Sequence, residues 1–183
     1  SALGAYGLTV VTAITSQNTK KVSKIEPVSP ASIKSQIDAI LEDSKVDAIK
    51  IGMLYDVNSI KAVYSRLKNL KIPIIVDPII RSTSGGELMK KNAFSVFRKL
   101  IIPLAHVITP NLSEAREISK MKSSKNLEKI ASTIKKLGAK NVVITGAKIQ
   151  KNEISDFVLE DSKHYFISGK LIKNENHGSG CTF

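Results

Sequence analysis

Short β-branched runs alternate with longer stretches of helical spacing along this chain. The runs Leu8–Thr15 (LTVVTAIT), Ala48–Ile51 (AIKI), Ile74–Val76 (IIV), His106–Thr109 (HVIT) and Asn141–Thr145 (NVVIT) have the length and composition of buried strands. Between them, Pro30–Glu42 places Ile33, Ile37, Ile40 and Leu41 at helical spacing behind Ser29-Pro30, a good N-cap and first-turn pair. Val57–Leu70 repeats the pattern with Ile60, Val63, Tyr64, Leu67 and Leu70 after Asp56 as cap. A third helix is predicted over Asn126–Leu137, where Leu127, Ile130, Ala131, Ile134 and Leu137 line up and Gly138 follows at the position of a left-handed C-cap. Phe157–Glu160 and Tyr165–Ile167 flank DSKH and predict a hairpin near the end. Strand and helix in alternation, with short links, predict one α/β domain over residues 1–183: a mainly parallel sheet covered by helices on both faces.

On that frame the chemically unusual residues fall in one place. Gln17-Asn18-Thr19 follows the first predicted strand, Gly52-Met53 the second, Asp77-Pro78 the third, Pro110-Asn111 the fourth and Gly146 the fifth. These are carboxyl ends of strands, where the loops of an open parallel sheet converge and helix N-termini point at a ligand.

Composition narrows the function classes. The chain is 183 residues and 42% hydrophobic, enough to bury a core as one domain. No apolar run approaches the roughly 18–20 residues of a membrane-spanning helix, and SALGAYGLTVVTAITSQ lacks the basic region of a signal peptide. A lone cysteine excludes an internal disulfide, and three scattered histidines make no zinc-site spacing. The expectation is a soluble cytoplasmic protein with no membrane partner. The formal charge of +12 raises the question of a polyanion. Its lysines are spread along the whole chain, and aromatics are 5% with no Trp, so a base-stacking platform is poorly supplied. A solvated lysine surface is the expectation, without a nucleic-acid partner.

Three clusters carry candidate chemistry. Gly178-Ser179-Gly180-Cys181, at the start of a final helix, would leave several backbone N–H groups aimed at one point, a nest for an anion such as a phosphoryl group in transfer. The bland alternative is a Gly-rich turn into an ordinary helix. Cys181 is either a small buried hydrophobe or a thiol whose pKa a helix N-terminus lowers, making it a base or nucleophile. His177, four residues earlier, raises a cysteine-hydrolase alternative, but nothing supplies an orienting third residue. In Asn111-Leu112-Ser113-Glu114, Asn and Glu are either a capping box or ligands facing the strand-end cleft, and the spacing does not separate the two. Asp77, between a buried strand and Pro78, is either a turn former or a phosphate- or metal-site residue.

The segments SALGAYG, VTAITSQNT, KIGML, IIVDPI, VITPNLSEA and NHGSGCTF, in this order and at these intervals, resemble hydroxymethylpyrimidine/phosphomethylpyrimidine kinase, the thiamin-biosynthesis member of the ribokinase-like superfamily. The likeness runs from Ser1 to Phe183. It implies a three-layer α/β/α fold with a mainly parallel central sheet and a homodimer. The implied activity is ATP-dependent phosphorylation of 4-amino-5-hydroxymethyl-2-methylpyrimidine, then of its monophosphate. By the resemblance, Gln17 and Met53 contact the pyrimidine, and Asp77, Asn111 and Glu114 fall in the Mg²⁺–phosphate region. Thr145 and Gly146 lie near the nucleotide, with Asn111, and Gly178, Ser179, Gly180 and Cys181 form the anion hole. Cys181 stands where sugar kinases carry an aspartate base, which makes it the expected general base.

The chain departs from the family's pattern in three ways. Thr145-Gly146-Ala147-Lys148 stands where many relatives have Lys-Gly-Gly-His, with Lys148 as a displaced source of charge. IIRSTSGGEL replaces a Lys-Ser-Gly segment, with Arg81 as a substitute charge in a phosphate-covering loop. The family's first strand, its Gly-rich segment and its C-terminal helices have no counterpart here, so the isolated 183-residue chain is expected to be unstable or inactive. Rival readings are a pyridoxal or pyridoxine kinase of the same superfamily and a non-catalytic pyrimidine or phosphate sensor.

Overall fold

The computed structural model describes residues 4–82 and 85–171. Regular structure begins with a two-stranded antiparallel ribbon, β1 (Ala13–Gln17) and β2 (Val22–Pro27), which is not part of the main sheet. This corrects the expectation that Leu8–Thr15 is a strand of the parallel sheet. The turn explains it: Asn18 Oδ1 accepts hydrogen bonds from the N–H groups of Lys20 and Lys21, both at 2.9 Å, folding the chain back on itself. Ile14 is then 61% exposed on a ribbon whose neighbours are mostly polar.

Among the described residues the main sheet holds six strands in the order β3 (Ile49–Ile51), β4 (Ile74–Val76), β5 (Val107–Ile108), β6 (Asn141–Gln150), β7 (Glu153–Glu160) and β8 (Lys163–Lys170). The first four are parallel, with Ile51, Val76, Ile108 and Val142 in register. The last two return as antiparallel hairpins. The hairpin predicted around DSKH is therefore present, and β6 extends past Thr145 into a second hairpin through Lys151 and Asn152 that the sequence did not announce. The α/β class with a mainly parallel sheet is as expected; the helices expected on both faces lie on one among the described residues, because the parallel strands follow one another in spatial order.

Of the five α-helices among the described residues, four start at a side-chain cap. In α1 (Pro30–Asp43) Ser29 caps through its side chain, and in α2 (Val57–Leu67) Asp56 and Ser59 make a reciprocal capping box. α3 (Lys91–Leu100) buries Ala93 and Phe97 but starts at Lys90, which makes no side-chain cap; that missing start signal is why the sequence reading passed over it. α4 (Leu112–Ser119) and α5 (Leu127–Lys135) are capped by Asn111 and Asn126. Gly138, beyond α5, takes φ 117, and a Cβ there would lie 2.9 Å from Pro103 Cα.

Strands laid down in spatial order with right-handed crossovers put their connecting helices on one face of the sheet. Burial agrees: Ile74, Val76, Ile108, Val142 and Ile144 are buried, whereas the intervening Ile75, Val107 and Val143 are half-buried. Ile33, Ile60, Phe97, Ile118, Ile130 and Ile134 bring the helices onto the covered face. Each such side chain contributes roughly 1.5–3 kcal/mol on burial. No helix among the described residues is long and apolar enough to cross a membrane.

Candidate active site

Asp77 sits one residue beyond the ladder formed by Ile51, Val76, Ile108 and Val142, at the carboxyl end of β4. Its N–H donates to Ile51 O at 2.8 Å, which prolongs the ladder and holds the backbone in place. Its carboxylate is 14% exposed and lies 3.5 Å from Lys50 Nζ. Lys50 is opposite Ile75 in the register, so the alternation of β3 and β4 puts Lys50 and Asp77 on the same, half-buried face. Burial raises the Asp77 pKa, and the Lys50 ammonium opposes that rise.

Glu114 forms the capping box, one of the two readings its spacing left open. Asn111 Oδ1 accepts from Glu114 N–H and Glu114 Oε2 accepts from Asn111 N–H, each at 3.0 Å, so the capping box is formed. Its other oxygen, Oε1, accepts from Ile80 N–H at 3.4 Å, in the loop that leaves Asp77. The capping carboxylate therefore lies beside the β4 end. Its pKa is pushed up to about 7, chiefly by burial; the two N–H donors oppose this, and the negative charges of Asp77 and Glu117 add to it.

Thr145 and Asn111 are brought together at the strand ends. Thr145 N–H donates to Pro110 O at 2.9 Å, and Asn111 and Thr145 form an isolated parallel bridge. Gly146 is not at the end of its strand. It lies in a bulge of β6, with φ 57, and its N–H donates to Asp156 Oδ1 at 2.8 Å. Lys148 is drawn away from the predicted nucleotide loop: its Nζ lies 3.9 Å from the centroid of the Phe166 ring on β8.

Met53 follows β3, where its carbonyl accepts from Thr12 Oγ1 at 2.7 Å, tying the base of the ribbon to the site. Gln17 stands at the far end of β1, exposed, and its register partner Val22 would be 3.1 Å from a Cβ on Gly86. The ribbon tip thus rests on the loop after Asp77, where Arg81 and Glu87 form an antiparallel bridge. No described contact joins Gln17 to Met53. Gly178, Ser179, Gly180 and Cys181 lie outside the described residues. Two residues that the sequence reading did not single out, Lys50 and Asp156, are in contact with the site. Lys50 carried a signal, a charge inside the strand run AIKI; Asp156 carried none, because its partner lies across a strand pair.

The acid pair suits Mg²⁺. That ion is usually held by one or two carboxylates together with substrate phosphates, not by an all-protein cage. Among the described residues no three His, Cys, Asp or Glu side chains gather into such a cage. Asp77 and Glu114 are both half-desolvated and both pushed toward protonation, the condition a divalent cation relieves.

Parallel strands, helices on one face and acids at the carboxyl edge make an α/β domain, and its likeness to solved kinases places it in the ribokinase-like class. Among the solved structures similar to it are phosphomethylpyrimidine and pyridoxal kinases. Phosphomethylpyrimidine kinase from Clostridium difficile 630 is 36% identical with a TM-score of 0.80, covering 90% of this chain and 72% of that one. The ADP complex of Bacillus subtilis pyridoxal kinase is 30% identical with a TM-score of 0.83, covering 97% and 69%. The profile of the phosphomethylpyrimidine kinase family matches residues 1–183, and the chain belongs to that family. Among curated relatives, the hydroxymethylpyrimidine/phosphomethylpyrimidine kinase of Bacillus subtilis is 33% identical over 99% of this chain and 69% of its own length. The thiamine biosynthesis bifunctional protein ThiED of Geobacter sulfurreducens is 34% identical over 99% of this chain, which spans only 38% of that protein.

Proposed function

We propose that the intact protein transfers the γ-phosphoryl group of ATP to the hydroxymethyl oxygen of 4-amino-5-hydroxymethyl-2-methylpyrimidine, and then to the monophosphate so formed, in thiamin biosynthesis. The observation that carries this reading is the placement of two partly buried acids, Asp77 and Glu114, at the carboxyl edge of the sheet of a chain in the phosphomethylpyrimidine kinase family. In the first turnover the hydroxymethyl oxygen, and in the second an oxygen of the monophosphate, bonds to the γ-phosphorus; the bond from that phosphorus to the β–γ bridging oxygen breaks, and ADP leaves. The hydroxyl proton goes to Cys181, the general base of the proposal. Gly178, Ser179 and Gly180 offer backbone N–H groups to the transferring phosphoryl oxygens.

Mg²⁺, held by Asp77 and Glu114, supplies neutralisation of phosphate charge when bound. Lys50, at 3.5 Å, opposes the rise that burial causes in the Asp77 pKa, and the N–H groups of Asn111 and Ile80 orient Glu114. Asn111, Thr145 and Gly146 hold the nucleotide, and Gln17 and Met53 border the pyrimidine ring. The proposal includes a homodimer, to be checked by sedimentation of the intact protein.

A second reading, pyridoxal phosphorylation, is favoured by the likeness to Staphylococcus aureus pyridoxal kinase in complex with pyridoxal, 27% identical with a TM-score of 0.83. The test offers the intact protein MgATP with hydroxymethylpyrimidine or pyridoxal in separate reactions and follows product mass. Successive mono- and diphosphate on the pyrimidine is expected. Pyridoxal phosphate as the main product would reassign the ring, and binding without ATP consumption would favour a sensor.

A further inference from the structure

The ladder between β6 and β7 is regular on both sides of one interruption. Ile144 pairs with Phe157 and Lys148 with Ser155, so Thr145, Gly146 and Ala147 together face a single residue, Asp156. Such a bulge loses ladder hydrogen bonds and bends its strand. Here one of the displaced groups is recaptured by a side chain: Asp156 Oδ1 accepts the Gly146 N–H at 2.8 Å, across ten residues of sequence. Gly146 needs that anchor, because it sits at φ 57, where the backbone turns out of the strand. On its other side the bulge is tied to the β5 end through Thr145 N–H and Pro110 O, at the level of Asn111. The bulge is thus held from both sides, with Thr145 beside Asn111 toward β5 and the Gly146 N–H turned to β7.

We infer that Asp156 is a positioning residue for nucleotide binding: by holding the Gly146 N–H it sets the outward bulge of Thr145–Ala147 against which an adenine nucleotide is bound. This rests on the proposed nucleotide role of Asn111, Thr145 and Gly146. Asp156 touches neither reacting atoms nor, in this assignment, the nucleotide itself. Its loss should therefore weaken nucleotide binding and leave the chemical step and the pyrimidine side alone. A hydrogen bond from a backbone N–H to a carboxylate is strong enough for about a tenfold effect.

The test uses the intact protein, with ADP binding by titration calorimetry beside steady-state kinetics for ATP and for the pyrimidine. Asp156→Ala is expected to raise the ADP Kd and the ATP KM about tenfold, with kcat and the pyrimidine KM within about twofold. Asp156→Asn keeps an acceptor oxygen at the same place and should restore ADP affinity to within about threefold. If Asp156→Ala does not fold, Asp156→Glu, which displaces the carboxylate by one methylene, is expected to weaken ADP binding several-fold with the fold retained. Unchanged ADP affinity in the folded Ala or Glu variant overturns the inference, as does an equal loss for both substrates. Gly146→Ala separates the two levels. If it weakens ADP binding while Asp156→Ala does not, only the role of Asp156 falls; if neither does, the nucleotide reading of this bulge falls with it.

Discussion

Glu114→Gln in metal-free buffer tests the electrostatics of the acid pair without asking for catalysis. In the folded protein the Glu114 pKa is raised from 4.5 to about 7, first by burial, with the charges of Asp77 and Glu117 adding and the N–H groups of Asn111 and Ile80 opposing. Between those two values the folded state holds a proton that the unfolded chain has released. Stability from this group is therefore fully present at the acid end and lost as pH rises through the folded value, at about 1.4 kcal/mol per pH unit. Over the whole interval the loss is up to about 3 kcal/mol, and solvent access to the partly exposed carboxylate trims it to about 2. Glutamine imitates the protonated acid at every pH, and the cost of exchanging one acceptor oxygen for an amide is the same throughout. Urea unfolding of wild type and Glu114→Gln between about pH 5 and pH 8, with chelator present, should show the variant gaining about 2 kcal/mol on the wild type as pH rises. Asp77 titrates in the same direction in both proteins and cancels in the difference to first order. Parallel stability curves, differing by a constant, would refute the reasoning and return Glu114 to the status of an ordinary capping residue.

The remaining predictions concern the site and its supports. Asp77→Asn is expected to lower kcat/KM by about a hundredfold or more, as removal of a charge that stabilises phosphoryl transfer does, while leaving the Tm near wild type; undiminished turnover would remove Asp77 from the metal site. Cys181→Ala should lower kcat by roughly a hundredfold or more with the pyrimidine KM little changed, in line with loss of a general base, and near-normal turnover would leave the anion nest as the main device. Gly138→Ala should destabilise by roughly 2–4 kcal/mol in denaturant unfolding, because the residue holds φ 117 and its new Cβ meets Pro103 Cα at 2.9 Å. Asp56→Ala removes a capping box made at 2.9 and 3.2 Å and should cost about 1 kcal/mol by the same assay.

What could be read from residues alone was whatever depends on near neighbours in the chain. Four parallel strands, helices α1, α2 and α5, the caps at Ser29 and Asp56, and the choice of the carboxyl edge all follow from periodicities of two and 3.6 and from side chains that bond within three residues of themselves. The motif resemblance added the family and, with it, the roles assigned to the acids. Helix α3 escaped because it has no side-chain cap, so burial of Ala93 and Phe97 decides it instead of a local signal. The ribbon was misplaced because LTVVTAIT has strand propensity, and propensity does not name a partner; the Asn18 turn chose β2 over the main sheet. At Glu114 the spacing allowed a cap or a site residue, and only the approach of the β4 loop revealed that one carboxylate bonds both Asn111 and Ile80. Lys50 beside Asp77, Lys148 on Phe166 and Asp156 on Gly146 are contacts between strands. Such contacts depend on register, which is settled when the whole sheet finds the pairing that buries one face, and no window of the sequence contains both partners together with that constraint.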